Sequence, residues 1–282
     1  MANKSFSIYG LEEDTAADAA DQLILEVGKT HIACLQKKGQ KRSVSAFELF
    51  SFTENESADF SKLFKEVSIG SKLLDKQYQS AEVFVNNELS LLVPILKFNT
   101  EIAADYLDVV FGENFVSKIQ FEHLPIDPGM MNIFRVAEDV FEFLSNNFTK
   151  VSIKHTWSNI VKTIIANIAI HSADCIYVQF YNTFIIVTVI KNVKLQIIQS
   201  FVYETPEDVI YHLLNITEQF QLNKSNVTLR ISGMIDLNFT LYRDLITYYR
   251  HVEVQNVRLN DLMPDLKEYP LHYFTPFFNL AL

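Results

Sequence analysis

Two passages of the chain share one pattern of apolar and polar residues, and this internal repeat constrains the fold more than any other feature. The first passage begins DQLILEVGKTHIACLQKKGQKRSVSAFELFSF at Asp21, and the second begins DCIYVQFYNTFIIVTVIKNVKLQIIQSFVYE at Asp174. Aligned without gaps, Thr30 meets Thr183. Both passages have alternating or continuous apolar residues, many of them β-branched, separated by polar turns. This pattern predicts a meander of three strands in each passage.

The same succession of elements follows each meander. Apolar residues at helical spacing predict a helix over Asp59–Leu74 in the first half and over Pro206–Leu222 in the second. Thr205 is the expected N-cap of the second of these helices, because proline and an acidic residue follow it at the favoured positions. A fourth strand, a second helix and a fifth strand complete each half. In the first half they are predicted at 80–94, 100–111 and 116–124, and in the second half at 226–236, 240–250 and 251–259. Each half thus has the order β-β-β-α-β-α-β, which predicts an α/β fold with an internal duplication.

Between the two halves the sequence predicts two further strand and helix pairs. Strands are expected at 132–136 and 151–155, and helices at 138–148 and 157–168. The chain therefore divides into an N-terminal tail, a first lobe, a second lobe and an aromatic C-terminal segment. The tail is predicted at 1–20, and the first lobe at 21–170 with a strand-helix-strand insert at about 130–156. The second lobe is predicted at 171–267 and the aromatic segment at 268–282.

The charge balance and the cysteines limit the partners and the compartment. The net charge is -10, and the 24 basic residues are scattered along the chain. A protein that binds nucleic acid or an anionic membrane surface needs its basic residues clustered. The two cysteines, Cys34 and Cys175, lie in apolar strand-like runs outside any CxxC pair, which indicates a reducing compartment. No signal-peptide core and no apolar run of membrane-helix length is present. We therefore predict a cytoplasmic protein without nucleic-acid binding or membrane insertion.

No constellation of catalytic or metal-binding residues stands out in the sequence. The seven histidines include no HxH, HxxH or HExxH spacing, and no His/Cys cluster has the spacing of zinc ligands. No GxSxG nucleophile elbow is present either. His155-Thr156-Trp157, at a predicted strand end, is interpreted as a structural corner whose imidazole is satisfied locally. We predict no catalytic residue and no metal site.

The order of elements resembles the actin-like ATPase (ribonuclease H-like) fold of actin, the heat-shock chaperone ATPases and the sugar kinases. Phe134-Arg135-Val136, followed by Val151-Ser152-Ile153, is similar to a strand-helix-strand unit of the pilus-assembly and cell-division members of that group. With its closing HYFTPFFNLAL, the chain most resembles an uncharacterised bacterial family, domain of unknown function 3822. The resemblance covers nearly all of residues 20–282. It implies two lobes with a cleft, where relatives bind nucleotide and magnesium.

The first meander turn lies in ILEVGKTHIA, which contains the Gly-Lys-Thr triplet of a phosphate-binding loop. That loop needs a glycine five positions before Gly28, where Leu23 stands inside a predicted strand, so we reject a P-loop. The resemblance implies Asp-x-Gly-Thr at this turn, and the chain has Glu26-Val27-Gly28-Lys29. Glutamate replaces the aspartate that positions magnesium, and Lys29 replaces a hydroxyl residue. The interpretation that we favour is a tight hairpin turn with Gly28 at positive φ.

The matching turn of the second half departs further from the family. Relatives carry Asp-x-Gly, whereas this chain has Gln179-Phe180-Tyr181-Asn182-Thr183, with neither carboxylate nor glycine and with Tyr181 where phosphates would approach. After the fourth strand, Ser232-Gly233 keeps one glycine of the adenosine loop of the family, although such a turn is common. The candidate residues of a degenerate nucleotide cleft are Glu26, Gly28, Lys29, Thr30, Asn182, Thr183, Ser232 and Gly233.

The sequence predicts a non-catalytic binding or scaffold protein with degenerate nucleotide motifs. The alternative is a divergent nucleotide-binding ATPase or kinase, and ATP and magnesium are expected only under that alternative. A protein partner is expected but not identified, and the oligomeric state stays open. The C-terminal segment EYPLHYFTPFFNLAL is too apolar to remain in water. It either folds back over a lobe, which we favour, or binds a partner.

Overall fold

The computed structural model describes residues 2–10, 21–39, 43–78, 80–114, 116–168, 174–257 and 269–281. Among these residues, no helix has the length and apolar character of a transmembrane segment. The chain forms two compact units, the first mainly from Met1–Lys162 and the second from Thr163–Val257 with Tyr269–Asn279. The predicted boundary between the lobes near residue 171 lies outside the described residues.

The first unit alternates strands and helices. Its strands are β1 Asn3–Tyr9, β2 Gln22–Gly28, β3 His31–Lys37, β4 Val44–Ser51, β5 Ala81–Asn86, β6 Ser90–Pro94, β7 Ser117–Leu124, β8 Met130–Ala137 and β9 Val151–His155. Its α-helices are α1 Phe60–Gly70, α2 Ala103–Phe111, α3 Glu138–Asn147 and α4 Thr156–Ile168, the last of which crosses into the second unit. The main sheet has the order β1-β4-β3-β2-β5-β9, and a separate sheet has the order β6-β8-β7.

The position of the insert differs from the prediction. The strand that continues the main sheet beyond β5 is β9, which pairs with β5 in parallel, whereas β7 pairs with β8 in the small sheet. The inserted region therefore runs from β6 to β8, so 116–124 is not the fifth strand of the repeat and 130–156 is not the insert. The reason is a break inside the predicted strand 80–94, where the Asn87 side chain accepts a hydrogen bond from Leu89 N and turns the chain. Apolar periodicity cannot show which sheet a strand will join.

The second unit repeats the order of the main sheet. Its strands are β10 Cys175–Phe180, β11 Phe184–Lys191, β12 Lys194–Val202, β13 Thr228–Gly233 and β14 His251–Val254. Its helices are α5 Pro206–Gln219, α6 Thr240–Tyr248 and the short α7 Thr275–Phe278. The sheet order β12-β11-β10-β13-β14 matches β4-β3-β2-β5-β9, with parallel pairing at corresponding positions. The second unit has the predicted β-β-β-α-β-α-β order, and the first unit has it with α3 and β9 in the places predicted for 100–111 and 116–124.

Each unit has its own apolar core beneath its helices. In the first unit α1 buries Phe60, Leu63, Phe64 and Val67 on the predicted face. In the second, α5 begins with the predicted capping box, in which Thr205 and Asp208 satisfy each other's backbone donors. Buried residues of its core come from the sheet and the helices: Ile176, Val178, Val187, Val209, Leu213, Leu229, Ile231 and Leu245.

Candidate functional site

Glu26 lies near the carboxyl end of β2 and is fully buried. Its carboxylate is 3.0 Å from His31 Nε2, and it accepts hydrogen bonds from Asn86 Nδ2 at 3.1 Å and from Thr156 Oγ1 at 2.7 Å. These three partners come from β3, the end of β5 and the start of α4. The sequence analysis did not identify them, and the only signal was the presence of polar residues at adjacent strand ends. A buried carboxylate is tolerated here because several groups solvate it.

Gly28 is required by a side chain rather than by its backbone conformation. Among the described glycines, only Gly112 and Gly233 have positive φ, so the predicted positive φ of Gly28 is wrong. A Cβ atom on Gly28 would lie 2.3 Å from Cε1 of His31. The glycine therefore makes room for the imidazole that reaches Glu26.

The other two candidates of this hairpin lie in the turn itself. Lys29 forms an ion pair with Glu88, and about half of each side chain is exposed. Thr30 accepts a hydrogen bond at its carbonyl from Phe52 N at 3.0 Å. Leu23 is buried inside β2, as expected when the P-loop was rejected.

The corresponding hairpin of the second unit has an aromatic cluster in place of polar groups. Tyr181 follows β10 and is only 2% exposed. Its ring stacks on Phe184, with centroids 4.5 Å apart and planes 8° apart, and Phe277 meets it edge-on at 5.6 Å. Its carbonyl accepts a hydrogen bond from Tyr203 Oη at 2.8 Å. The next two residues, the candidates Asn182 and Thr183, are exposed in the turn.

The end of β13 lies beside this hairpin. Ser232 is paired in register with Gln179 of β10, and both are buried. Ser232 Oγ and Gln179 Oε1 have no hydrogen-bond partner within the described part of the chain. Gly233 has φ 90°, and a Cβ atom there would lie 2.2 Å from the Phe180 carbonyl oxygen. This glycine is required both by its left-handed conformation and by the close approach of β10.

Residues Tyr269–Asn279 of the C-terminal segment are part of the second unit. Phe274, Phe277 and Phe278 are almost completely buried. His272 Nε2 donates to the Ile235 carbonyl at 2.8 Å, just beyond the end of β13. Thr275 Oγ1 donates to the Gln255 carbonyl at 2.9 Å, just beyond β14. The interpretation that this segment folds back over a lobe is confirmed.

His155 forms the predicted structural corner at the end of β9. Its ring is fully buried between Phe134 and Trp157, and burial lowers its pKa to about 3. Its Nδ1 accepts from Trp157 N at 3.1 Å, which places the proton on Nε2, 3.5 Å from Asn87 Oδ1. The imidazole is therefore neutral and satisfied locally, as the sequence predicted.

Glu48, in the middle of β4, is another buried carboxylate of the first unit. Tyr9 Oη and Ser71 Oγ donate to it, as do Lys72 N at 2.9 Å and Lys4 Nζ at 3.2 Å. Burial raises its pKa, but these donors outweigh that effect and leave the pKa below the usual value. The sequence analysis missed this cluster, although a single acidic residue inside an apolar strand could have indicated it.

Both cysteines are buried thiols within strands and outside any disulfide, as expected. Burial raises the pKa of Cys34 and of Cys175, which keeps both in the unreactive thiol form. Among the described residues, no three His, Cys, Asp or Glu side chains lie close enough to hold a metal ion. The eight candidate residues divide equally between the units, and their grouping into one cleft stays a prediction.

Comparison with solved structures identifies the fold. A protein of actin-like ATPase fold and unknown function from Bacteroides thetaiotaomicron is similar over 86% of this chain and 94% of its own, with 15% identity and a TM-score of 0.73. A structure described as the PilM-PilN type IV pilus biogenesis complex is similar over 94% and 97%, with 11% identity and a TM-score of 0.60. The cytoplasmic domain of EpsL from the type II secretion system of Vibrio cholerae is similar over 93% and 98%, with 12% identity and a TM-score of 0.48. The protein has the predicted actin-like ATPase fold.

Comparison of the sequence alone identifies a family. No protein of curated function matches the chain significantly. The pattern of the family described as "Protein of unknown function (DUF3822)" matches residues 12–252, which is most of the chain. The resemblance found in the sequence is confirmed, and the chain belongs to the DUF3822 family.

Proposed function

We propose that the protein is a non-catalytic binding or scaffold protein of the cytoplasm, with a degenerate nucleotide site. The observation that carries this proposal is the buried ring of Tyr181, held between Phe184 and Phe277. The resemblance to actin-like ATPases implies that phosphates approach at this turn. A packed aromatic cluster excludes the water and the backbone donors that phosphate recognition requires.

The residues that correspond to the magnesium site do not fit that ion. Magnesium prefers anionic oxygens and retained waters in an octahedral arrangement. In the first unit the Glu26 carboxylate already has three partners and is fully buried. In the second, Gln179 provides a neutral amide where relatives have a carboxylate. Phosphoryl transfer depends on metal and positioned donors, so we derive no catalytic step for this chain.

A protein that shares the fold and the state of the two cysteines support a role in protein binding within a reducing compartment. PilM, which shares the fold, was solved in a complex with PilN. Cysteines kept as thiols, such as Cys34 and Cys175, are typical of a cytoplasmic protein. A binding or scaffold role retains the architecture of the fold and does not require its nucleotide chemistry.

Ligand-induced stabilisation tests the proposal. A ligand at ~100 times its dissociation constant stabilises a folded protein by about 2.7 kcal/mol, which a thermal-shift measurement detects readily. We expect no change in melting temperature with ATP and magnesium, and no heat of binding by calorimetry. A clear stabilisation by ATP would overturn the proposal.

One observation favours the alternative, a divergent nucleotide-binding enzyme. Ser232 Oγ and Gln179 Oε1 are buried side by side without a described partner, and a bound polar ligand would satisfy them. Under this alternative ATP stabilises the protein, and Ser232→Ala reduces that stabilisation. Under the scaffold proposal, Ser232→Ala leaves the response to ATP at zero.

A further inference from the structure

The strand β12 is an open edge of the second unit. It pairs with β11 on one side, and no described strand pairs with its other side. Lys194, Gln196, Gln199 and Val202 are exposed along it, and Val202 is 73% exposed. The edge is therefore accessible over most of its nine residues.

The register shows which backbone groups face outward. Tyr203 N donates to the Thr183 carbonyl, so residue 203 points toward the β11 side. In an antiparallel pair the hydrogen-bonding direction alternates along the strand. The N–H and C=O groups of Ile198, Ser200 and Val202 therefore point away from β11. They are available to pair with another strand.

The edge lacks the features that normally prevent strand pairing. Natural edge strands carry inward charges, prolines or protective bulges. Between Leu195 and Tyr203 there is neither a charged residue nor a proline. The register shift between Val189 and Ile190 of β11 affects only the start of β12. The central part, Ile197–Phe201, is a regular and uncharged edge.

The corresponding edge of the first unit is covered by the chain itself. β4 occupies the position in its sheet that β12 occupies in the second unit, and β1 pairs antiparallel with it along nearly its whole length. As a result β4 is buried except at its last residue, whereas Ile198 is the single buried residue of β12. An antiparallel strand added at this position is thus compatible with the sheet.

We propose that β12 pairs antiparallel with β12 of a second copy of this chain. A two-fold axis at Gln199 places Gln199 opposite its own counterpart and Ile197 opposite Phe201 of the other copy. Ile197 and Phe201 lie on the side of the sheet that packs against the helical core, so two apolar cross-strand pairs form there. In this register, residues whose backbone N–H and C=O groups point outward in one copy lie opposite such residues of the other copy. A continuous hydrogen-bond ladder requires this arrangement.

The charges at the ends of the strand agree with this register. Lys194 of one copy falls at the same end of the ribbon as Glu204 of the other, and the two-fold axis repeats this pair at the opposite end. The two lysines are then far apart. A second copy is therefore electrostatically matched to this edge, with no buried charge at the centre.

Charge reversal at the axis tests both the dimer and its register. We expect the wild-type protein to form a dimer that dissociates on dilution, measured by sizing with light scattering or by analytical ultracentrifugation. Gln199→Lys and Gln199→Glu each place like charges opposite each other, and each variant should dimerise ~5-fold or more weakly than the wild type. An equimolar mixture of the two variants should dimerise again, because opposite charges then meet.

A second variant removes a hydrogen-bond donor without changing charge. Ser200→Pro deletes an outward N–H and leaves the bonds to β11 intact, so it should abolish the dimer while circular dichroism stays unchanged. Gln219→Lys, on the exposed surface of α5, is the matched control for Gln199→Lys and should leave the dimer unaffected. A monomeric wild-type protein, or a dimer insensitive to the residue 199 and 200 variants, overturns the proposal. Failure of the mixture to restore the dimer overturns the two-fold register.

Discussion

The first and second units share one five-strand order, yet a different part of the sheet is covered by additional chain in each unit. In the first unit β1 covers the edge strand β4, while the hairpin after β2 keeps a polar cluster around Glu26. In the second unit the edge strand β12 stays open, and the hairpin after β10 is covered by the aromatic C-terminal segment through Phe277. The short segments outside the repeat, rather than the repeated frame, make the two units different.

The comparison also shows how one backbone turn can have two chemistries. Glu26 and Gln179 occupy equivalent positions at the ends of β2 and β10. The carboxylate of Glu26 is stabilised by hydrogen bonds from three neighbouring elements, whereas Gln179 Oε1 has no described partner. Loss of the charge in the second unit accompanies the aromatic cluster of Tyr181. A polar turn and an apolar one are therefore equally compatible with the fold.

The largest expected effect follows from removing the segment that covers the second hairpin. Truncation after Glu268 deletes three buried phenylalanines, each of which contributes ~3–5 kcal/mol, and their sum approaches the total stability of a typical domain. We expect hydrogen exchange to show lost protection in β10, β11 and β13, the strands of the second unit that surround the segment. Phe277→Ala should cost ~3–5 kcal/mol in urea unfolding. Unchanged protection in the second sheet would contradict a core role for the segment.

Removing β1 should make the first unit resemble the second. Deletion of Ala2–Gly10 opens the edge of β4 and takes Lys4 and Tyr9 away from the buried Glu48, at an expected cost of ~4 kcal/mol. Chemical unfolding measures the loss, and light scattering should show new association through β4. Ser5→Ala, in an exposed position of β1, is the control and should change stability by less than ~0.5 kcal/mol. A deletion variant as stable as the wild type would show that β1 does not protect the sheet.

The two hairpin glycines should differ in their tolerance of alanine. Gly233→Ala combines a left-handed φ with a backbone clash against Phe180 and should destabilise by ~3 kcal/mol. Gly28→Ala meets only the movable His31 ring and should cost ~1–2 kcal/mol through the lost contact with Glu26. Urea denaturation of both variants measures the difference. Equal losses would mean that the His31 ring is as rigid as a backbone.

An effect of similar size to that of Gly28→Ala concerns the pH dependence of the first unit. The pKa of His155 is about 3 in the folded protein, well below the value of ~6.5 in an unfolded chain. Between these values the unfolded state binds more protons, so the stabilisation is full above pH ~6.5 and is lost as pH falls. Lowering the pH from ~7 to ~5 should cost ~2 kcal/mol through this group.

The variant His155→Asn isolates this contribution. Its amide oxygen can still accept from Trp157 N, but it has no proton equilibrium in this range. We expect its stability to change less between pH 7 and pH 5 than that of the wild type, by the ~2 kcal/mol attributed to the imidazole. Identical pH profiles would show that His155 is not buried in its neutral form.

Local pattern was sufficient for most elements and for the absence of a P-loop. The meanders, the capping box at Thr205 and the strand around Leu23 were predicted correctly, because each depends on neighbouring residues. The insert was misplaced because the break near Asn87 and the pairing of β9 with β5 depend on distant segments. The positive φ predicted for Gly28 was wrong for another reason: the turn pattern does not show the contact with the His31 side chain that requires this glycine.

The sequence by itself determined the repeated strand order, the loss of the second carboxylate at Gln179 and the apolar character of the C-terminal segment. Periodicity and residue type are local properties, and they can be read directly from the amino-acid sequence. Only the tertiary structure decided that Phe277 packs on Tyr181, that His31, Asn86 and Thr156 surround Glu26, and that β1 covers one edge. Apart from His31, which is close to Glu26 in the chain, these contacts join residues far apart in sequence. They depend on how the elements pack and not on any single stretch.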